Sequence, residues 1–399
     1  MIKNNKKFYM VLSITLIILT SIFVYKYVKN ESPVYIFDYS GYHETYKNFS
    51  KELIDSPGKF TKDVISSIRN ADYNCTPIIL LIPFYAIFKT SRMGYILGSC
   101  LLYVVPTIIL TIMLTRKMLF KENEKKNNSE TIFTIFLCII SFLYTRWWSP
   151  TLRGLPDIIA VIPLLIAGLI SFKHSFIEKQ KIYIPILIGF MMYLCFLFRR
   201  YFVYAIIGFY VSLFIKELIR FINVKDNKKE KFLNAFKNFL ISGCTTLILL
   251  VVIQLPLVKT ILGQNYSESY SAYQDTIANH LNRTTNEFGY IILIFAVLGI
   301  IYTLKNKEHR ENRIILCIKY CCMLWHIYDS TGYGSTSLFN NIAMDIYFIC
   351  IWNICSLELI KKRFIKGYMA NNSYCIINIK LCNDLYFSNS KNTDNYSKQ

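Results

Sequence analysis

The sequence predicts an all-α polytopic membrane protein of about ten transmembrane helices, with a long first outer loop that carries juxtamembrane helices. Three observations predict it. The 399 residues are 54% hydrophobic and only 18% charged, a composition of polytopic membrane proteins. The apolar residues gather into long runs, and the Lys and Arg residues punctuate those runs instead of forming one basic face. That distribution gives the net charge of +20 a membrane explanation and argues against nucleic-acid binding.

The first run, Phe8 to Val28, follows Lys3, Lys6 and Lys7 and has no small-x-small cleavage site, so it reads as a retained signal anchor. Further runs lie at about 93–115, 131–147, 157–172, 182–198, 201–219, 239–262, 289–304, 314–328 and 342–360. Pro77 to Phe88 is also apolar, but twelve helical residues rise about 18 Å against a hydrocarbon core of about 30 Å. Charge decides its placement. If it does not cross, the loops assigned to the cytoplasm after residue 115 hold 23 Lys and Arg and the opposite loops after that residue hold six. A crossing segment would invert that imbalance in nearly every loop. Pro77 to Phe88 is therefore expected to lie at, or dip into, the outer surface, with the N-terminus cytoplasmic.

The domain reading is one membrane domain over residues 1–370, with residues 29–92 as its first outer loop, and a polar, disordered tail over 371–399 rich in Asn, Ser and Tyr. Seven of the twelve cysteines follow residue 316; none shows CxxC or Cys/His metal spacing, and no disulfide framework is implied. His43, His280 and His326 share no ligand spacing. GxSxG, HExxH and P-loop motifs are absent, which leaves soluble hydrolase and nucleotide-hydrolysing classes unsupported. Matches to the sequon include those beginning at Asn48, Asn74, Asn265 and Asn282.

Three acids stand at outer span edges: Asp38, Asp72 and Asp157. A carboxylate near the headgroup boundary is costly unless solvated or paired, so each is a candidate for function as well as for helix capping. Asp38 follows Tyr35-Ile36-Phe37 and opens an amphipathic segment whose Tyr42, Tyr46 and Phe49 are expected to lay an aromatic stripe on lipid. Asp157 ends the stretch Trp147 to Asp157; its tryptophans suit an interfacial belt, and Arg153 is either part of a substrate pocket or the ion-pair partner of Asp157. The Arg199-Arg200 pair sits where the positive-inside tendency disfavours arginine. It suggests phosphate recognition through bidentate, permanently charged contacts, against the alternative of snorkelling to headgroups.

The order of these elements resembles the class C integral-membrane glycosyltransferases, particularly bacterial relatives of protein O-mannosyltransferases and lipid A aminoarabinose transferases, over roughly residues 8 to 220. Asp38 with Tyr42 to Leu53 looks like the acid and amphipathic helix that open the first outer loop of that family. Asp72 before Pro77 to Phe88 looks like its acid before a proline-containing juxtamembrane helix. Asp157 in Leu155-Pro156-Asp157 is similar to the acid of its next outer loop, and Arg199 to a basic residue near the lipid phosphate. Two features depart from the pattern: Asp38 is followed by Tyr39, not a second acid, and no C-terminal soluble domain is expected.

The resemblance implies transfer of a sugar, with inversion, from a polyprenyl-phosphate donor to a hydroxyl of a membrane lipid or glycan acceptor, at the outer face of a bacterial inner membrane. Asp38 would take or orient the acceptor proton, Asp72 and Asp157 would shape the sugar pocket, and Arg199 or Arg200 would stabilise the leaving phosphate. The resemblance leaves a divalent-metal requirement open, and no metal-ligand motif is evident. A transporter or flippase of a lipid-linked saccharide is the rival class. It would place functional charges in the middle of several spans, for which Lys319 and Asp345 are the clear candidates. A non-catalytic membrane scaffold is third.

Overall fold

The computed structural model describes residues 2–31, 35, 38–119 and 128–264, together with the isolated positions 279 and 282. The chain divides into a unit of Met1–Cys355, which holds all of these, and a unit of Ser356–Gln399. The runs at 289–304, 314–328 and 342–360, with Lys319, Asp345, His280, His326 and the tail, lie outside the described residues.

The described residues are helical. Among the described residues, four helices are long and apolar enough to cross a membrane: Lys7–Asn30, Arg92–Lys117, Arg200–Ile222 and Lys228–Gly263. The first lies within α1 (Ile2–Asn30). It exposes Met10, Ile14, Ile18 and Ile22 on one side and buries Leu16, Thr20 and Val24 on the other, as a span seated at the edge of a bundle does. The first loop follows as four helices: α2 (Asp38–Asp55), α3 (Pro57–Asn70), α4 (Thr76–Ile79) and α5 (Ile82–Phe88). The segment from Pro77 to Phe88 is thus broken at Leu80 and Leu81, and the seven residues of α5 rise only about 10 Å, too little to cross. Lys89, with φ of 52°, turns the chain out of α5.

The second long span runs from α6 (Arg92–Ser99) through a π-helical turn (Cys100–Val104) into α7 (Val105–Leu119). It is the most enclosed of the four, with Tyr95, Tyr103, Ile108 and Ile112 almost fully buried. The predicted run at 131–147 divides into α8 (Asn128–Leu143) and a separate short helix, α9 (Thr145–Arg153). Trp147 and Trp148 of α9 do not form an interfacial belt: they are 0% and 5% exposed. Trp148 packs edge-on to Phe23 and Phe142 and donates its indole N–H to the Phe142 carbonyl at 2.7 Å. Burying so large a ring beside α1 removes more apolar surface from solvent than an interfacial position would.

After a 3-10 turn (Asp157–Ala160) come α10 (Val161–Lys173), α11 (Tyr183–Phe198), a second 3-10 turn (Arg200–Phe202), α12 (Val203–Ile222) and α13 (Lys228–Gly263). α11 lies between α10 and α13. Its approach to α13 is close because Gly189 has no side chain: a Cβ there would run into the Ser242 carbonyl and the Thr245 side chain. Thr246 donates to the Gly189 carbonyl at 3.0 Å, and the Tyr210 hydroxyl of α12 lies 2.9 Å from Ser242 Oγ and 3.0 Å from Thr246 Oγ1. Small residues with shared hydroxyls are how helices associate where no hydrophobic force separates them from lipid. α13 kinks at Gln254, two residues before Pro256, and the buried Gln254 amide donates to the Ile68 carbonyl of α3 at 3.1 Å, tying the kink to the first loop.

Lys216 belongs to α12 and not to a cytoplasmic loop. Its ammonium is 1% exposed, donates to the Ser171 carbonyl and lies 3.2 Å from Glu217, whose other oxygen accepts from Ser175 and from the Ile177 N–H. Among the described cysteines none is in a disulfide, and Cys75, Cys100 and Cys195 are buried, as small apolar packing residues.

Candidate functional site

The site is assembled by three breaks in the helices. The first is at the end of α11. Arg199 leaves the helix in an extended conformation (φ −154°, ψ 111°) and Arg200 opens the following 3-10 turn. Consecutive side chains of an extended backbone point to opposite sides, so the two adjacent guanidiniums reach different partners. Arg199 pairs with Asp157 through its Nε and Nη2, both on Oδ1, and Arg200 Nη1 lies 2.6 Å from Asp72 Oδ1.

The second break is the Gly154–Asp157 turn. Gly154 has φ of +119°, and a Cβ on it would stand 2.7 Å from the Tyr39 carbonyl of α2. Only glycine suits both the backbone and the space. The close approach brings Asp157 beneath the start of α2, where the Tyr95 hydroxyl also donates to the Gly154 carbonyl at 2.7 Å. The third break is the Ala71–Cys75 turn after α3. Asn74 holds it, donating to the Leu197 carbonyl at 2.6 Å and accepting from the Thr76 N–H at 3.0 Å. Asn74 is 6% exposed, so its sequon is a structural turn. The same turn places Asp72 and Tyr73 beside Arg200.

Aromatic rings fill the space between the charges. The Arg199 guanidinium lies 5.0 Å from the Tyr42 ring centroid and 5.1 Å from that of Tyr73. Arg200 lies 4.9 Å from the Tyr201 ring and 5.9 Å from Tyr73. The Tyr73 and Tyr201 hydroxyls are 3.1 Å apart, and Arg200 donates to the Tyr201 hydroxyl at 3.0 Å. Guanidinium over an aromatic face is favourable and is stronger when desolvated. The stripe on α2 therefore faces the protein and not lipid. Tyr42 and Tyr46 are 6% and 0% exposed, and Tyr46 packs against Tyr85, Tyr95 and His43.

Asp38 is the first residue of α2, one turn before Tyr42. It shares the electrostatic environment of Tyr42: burial pushes that phenol well up, Arg199 opposes the shift, and Asp157 and Asp38 add to it. The structure thus gathers Asp38, Asp157 and Arg199 around Tyr42, with Arg200 and Asp72 adjoining through Tyr73.

Arg153 stands apart from this arrangement. Asp157 takes Arg199 as its partner, and the carbonyls of Leu152 and Arg153 accept from Arg92 at 3.0 and 3.3 Å. The snorkelling reading of the arginine pair is also set aside, because Arg199 and Arg200 are 4% and 7% exposed. The sequence reading missed Arg92, which lies 2.5 Å from Glu31 and 4.1 Å from the Tyr35 ring centroid, and so joins the end of α1 to α6 and α9. It also missed Tyr73 and Tyr201. Each directly follows a charged site residue, the one signal that could have drawn attention to them. Among the described residues no three His, Cys, Asp or Glu side chains form a metal-holding group.

No family model matches the chain, and no curated protein matches it. The chemical reading of the site therefore rests on its geometry. Three carboxylates and two guanidiniums lie together among tyrosines, where Asp157 Oδ2 is buried and accepts no hydrogen bond from the described residues. Such a site can accept hydroxyl protons, stack a sugar ring and neutralise an oxyanion.

Proposed function

We propose that the protein is an integral-membrane glycosyltransferase that moves a sugar from a polyprenyl-phosphate donor to an acceptor hydroxyl of a membrane lipid or glycan at the outer face of the membrane. The observation that carries this reading is the pairing of Arg199 with Asp157 and of Arg200 with Asp72, side by side next to Asp38. The charge distribution along the chain supports an outward placement of these residues.

In the proposed reaction the acceptor oxygen attacks the anomeric carbon from the face opposite the phosphate. The new C–O bond forms as the bond to the phosphate oxygen breaks, and the electron pair leaves with the phosphate. Asp38 takes the acceptor proton as a positioned base. The departing phosphate ester is already ionised, so a guanidinium serves it better than an acid would. Tyr73, 39% exposed, offers an aromatic face on which a sugar can stack, and Asp157 Oδ2, which takes no hydrogen bond from the described residues, can accept one from a sugar hydroxyl. A lipid-carried donor needs no nucleotide-binding domain.

The test is to incubate the purified chain in lipid with labelled polyprenyl-phosphate sugars and a membrane-lipid acceptor fraction, and to follow the label. Appearance of labelled product, lost in Asp38→Asn, is expected. Movement of intact donor across a vesicle bilayer without transfer would instead identify the flippase.

A further inference from the structure

The two arginine–carboxylate pairs are chemically alike but differ in burial. In the Arg199–Asp157 pair both side chains are nearly sealed, 4% and 2% exposed. In the Arg200–Asp72 pair the guanidinium is 6% exposed but the carboxylate is 28% exposed. Their supports differ as well. Asp157 sits in a 3-10 turn packed under α2, behind Gly154 and Tyr95. Asp72 sits in a turn on the open side of Tyr73, which is itself 39% exposed.

Separating a fully buried pair strands two desolvated charges, whereas a partly exposed carboxylate can be rehydrated as it withdraws. From this asymmetry we infer that Arg200 alone is the phosphate-binding arginine, and that Asp72 is its resident counter-ion, displaced when a lipid phosphate enters. Arg199 is a positioning residue, held by Asp157 to keep the rings of Tyr42 and Tyr73 in place. The inference rests on the proposed donor chemistry and assigns its anion subsite. Asp72 competes with the ligand for one guanidinium, so the empty site carries its own substitute for the phosphate. Removing that competitor improves phosphate binding, the opposite of what loss of a sugar-binding carboxylate does.

The experiment measures binding of farnesyl phosphate, and separately of inorganic phosphate, to the full chain in detergent. Thermal stability is recorded for each variant. Asp72→Asn is expected to bind farnesyl phosphate about three- to tenfold more tightly than the unsubstituted chain, the range set by a partly exposed ion pair. Arg200→Ala is expected to lose most of the binding, Arg200→Lys to recover part of it, and Asp157→Asn to lower stability with no gain in affinity. Stronger binding of farnesyl phosphate than of inorganic phosphate marks a lipid source; the reverse marks a site for free anions and overturns the lipid assignment. Unchanged or weaker binding by folded Asp72→Asn, while the unsubstituted chain binds, overturns the counter-ion assignment and leaves the donor chemistry standing. Binding of neither probe by any variant removes the phosphate reading itself.

Discussion

At the scale of single residues, Asp38 and His43 lie five positions apart on α2 and make opposite demands on charge. Asp38 must be ionised to act as a base. Asp38→Asn keeps its size and removes that function, so transfer is expected to fall on the order of a hundredfold or more with normal melting in detergent. Near-normal turnover by the folded variant would take Asp38 out of the mechanism. His43 is held neutral. Its ring stacks on Tyr95 with centroids 5.2 Å apart, and Nε2 lies 3.2 Å from the Thr90 carbonyl. Burial, aided by Lys47, lowers its pKa from 6.5 to about 4. As pH falls, the unfolded chain takes up this proton first. The contribution of His43 is then complete above about pH 6.5 and is lost progressively toward pH 4. The melting temperature should decline across that window, and less steeply in His43→Asn. Equal slopes for the two proteins would show that other groups govern the acid limb.

At the scale of elements, the first loop and the bundle are held to each other by close backbone contacts. Gly189 is where α11 meets α13, and α13 in turn reaches α3 through Gln254. Gly189→Leu must displace the Ser242 backbone, which cannot yield as a flexible side chain would. It is expected to cost about 1 to 3 kcal/mol, as overpacking does. Because α11 also carries Arg199 and Arg200 at its end, the same change should weaken farnesyl phosphate binding in protein that remains folded. A Gly189→Ala variant with unaltered melting would show that the two helices can separate without cost. The division of the 77–88 segment into α4 and α5 follows the same logic. Ile78 and Leu81 are 0% exposed against the protein, while Leu80 and Ile87 are 46% and 78% exposed. The segment is thus fastened on one side and offers apolar surface on the other, as a juxtamembrane element requires.

At the scale of the whole molecule, the charge distribution makes a direct prediction about orientation. Single cysteines at Lys62 and Tyr270 should react with an impermeant thiol reagent from outside intact cells, and those at Asn123 and Lys228 only after permeabilisation, each in a background lacking accessible native cysteines. Labelling of Asn123 from outside would mean that the 77–88 segment crosses, and the proposed site would then not be assembled at the outer face. Lys216 does not weaken the argument when it is removed from the count, since in the loops after residue 115 the cytoplasmic side would still hold 22 basic residues against six.

The sequence alone determined the class of the molecule, because the lengths of apolar runs and the segregation of Lys and Arg answer to the bilayer and not to tertiary contacts. It also marked Asp38, Asp72, Asp157, Arg199 and Arg200, since charge at a span edge stands out against an apolar background. Tertiary structure decided what these residues touch. No periodicity says that Asp157 pairs with Arg199, 42 positions away, and not with Arg153, one helical turn before it. That choice depends on Gly154 turning the chain under α2. Tyr42 and Tyr46 show the same limit from the other direction: an amphipathic stripe reports that a face is apolar, and only packing reveals whether lipid or protein covers it. Trp147 and Trp148 fit an interface by composition yet are buried, Trp148 against Phe23 of α1 and Phe142 of α8, because enclosure in the protein removes more of a large ring's apolar surface from water than an interfacial position does.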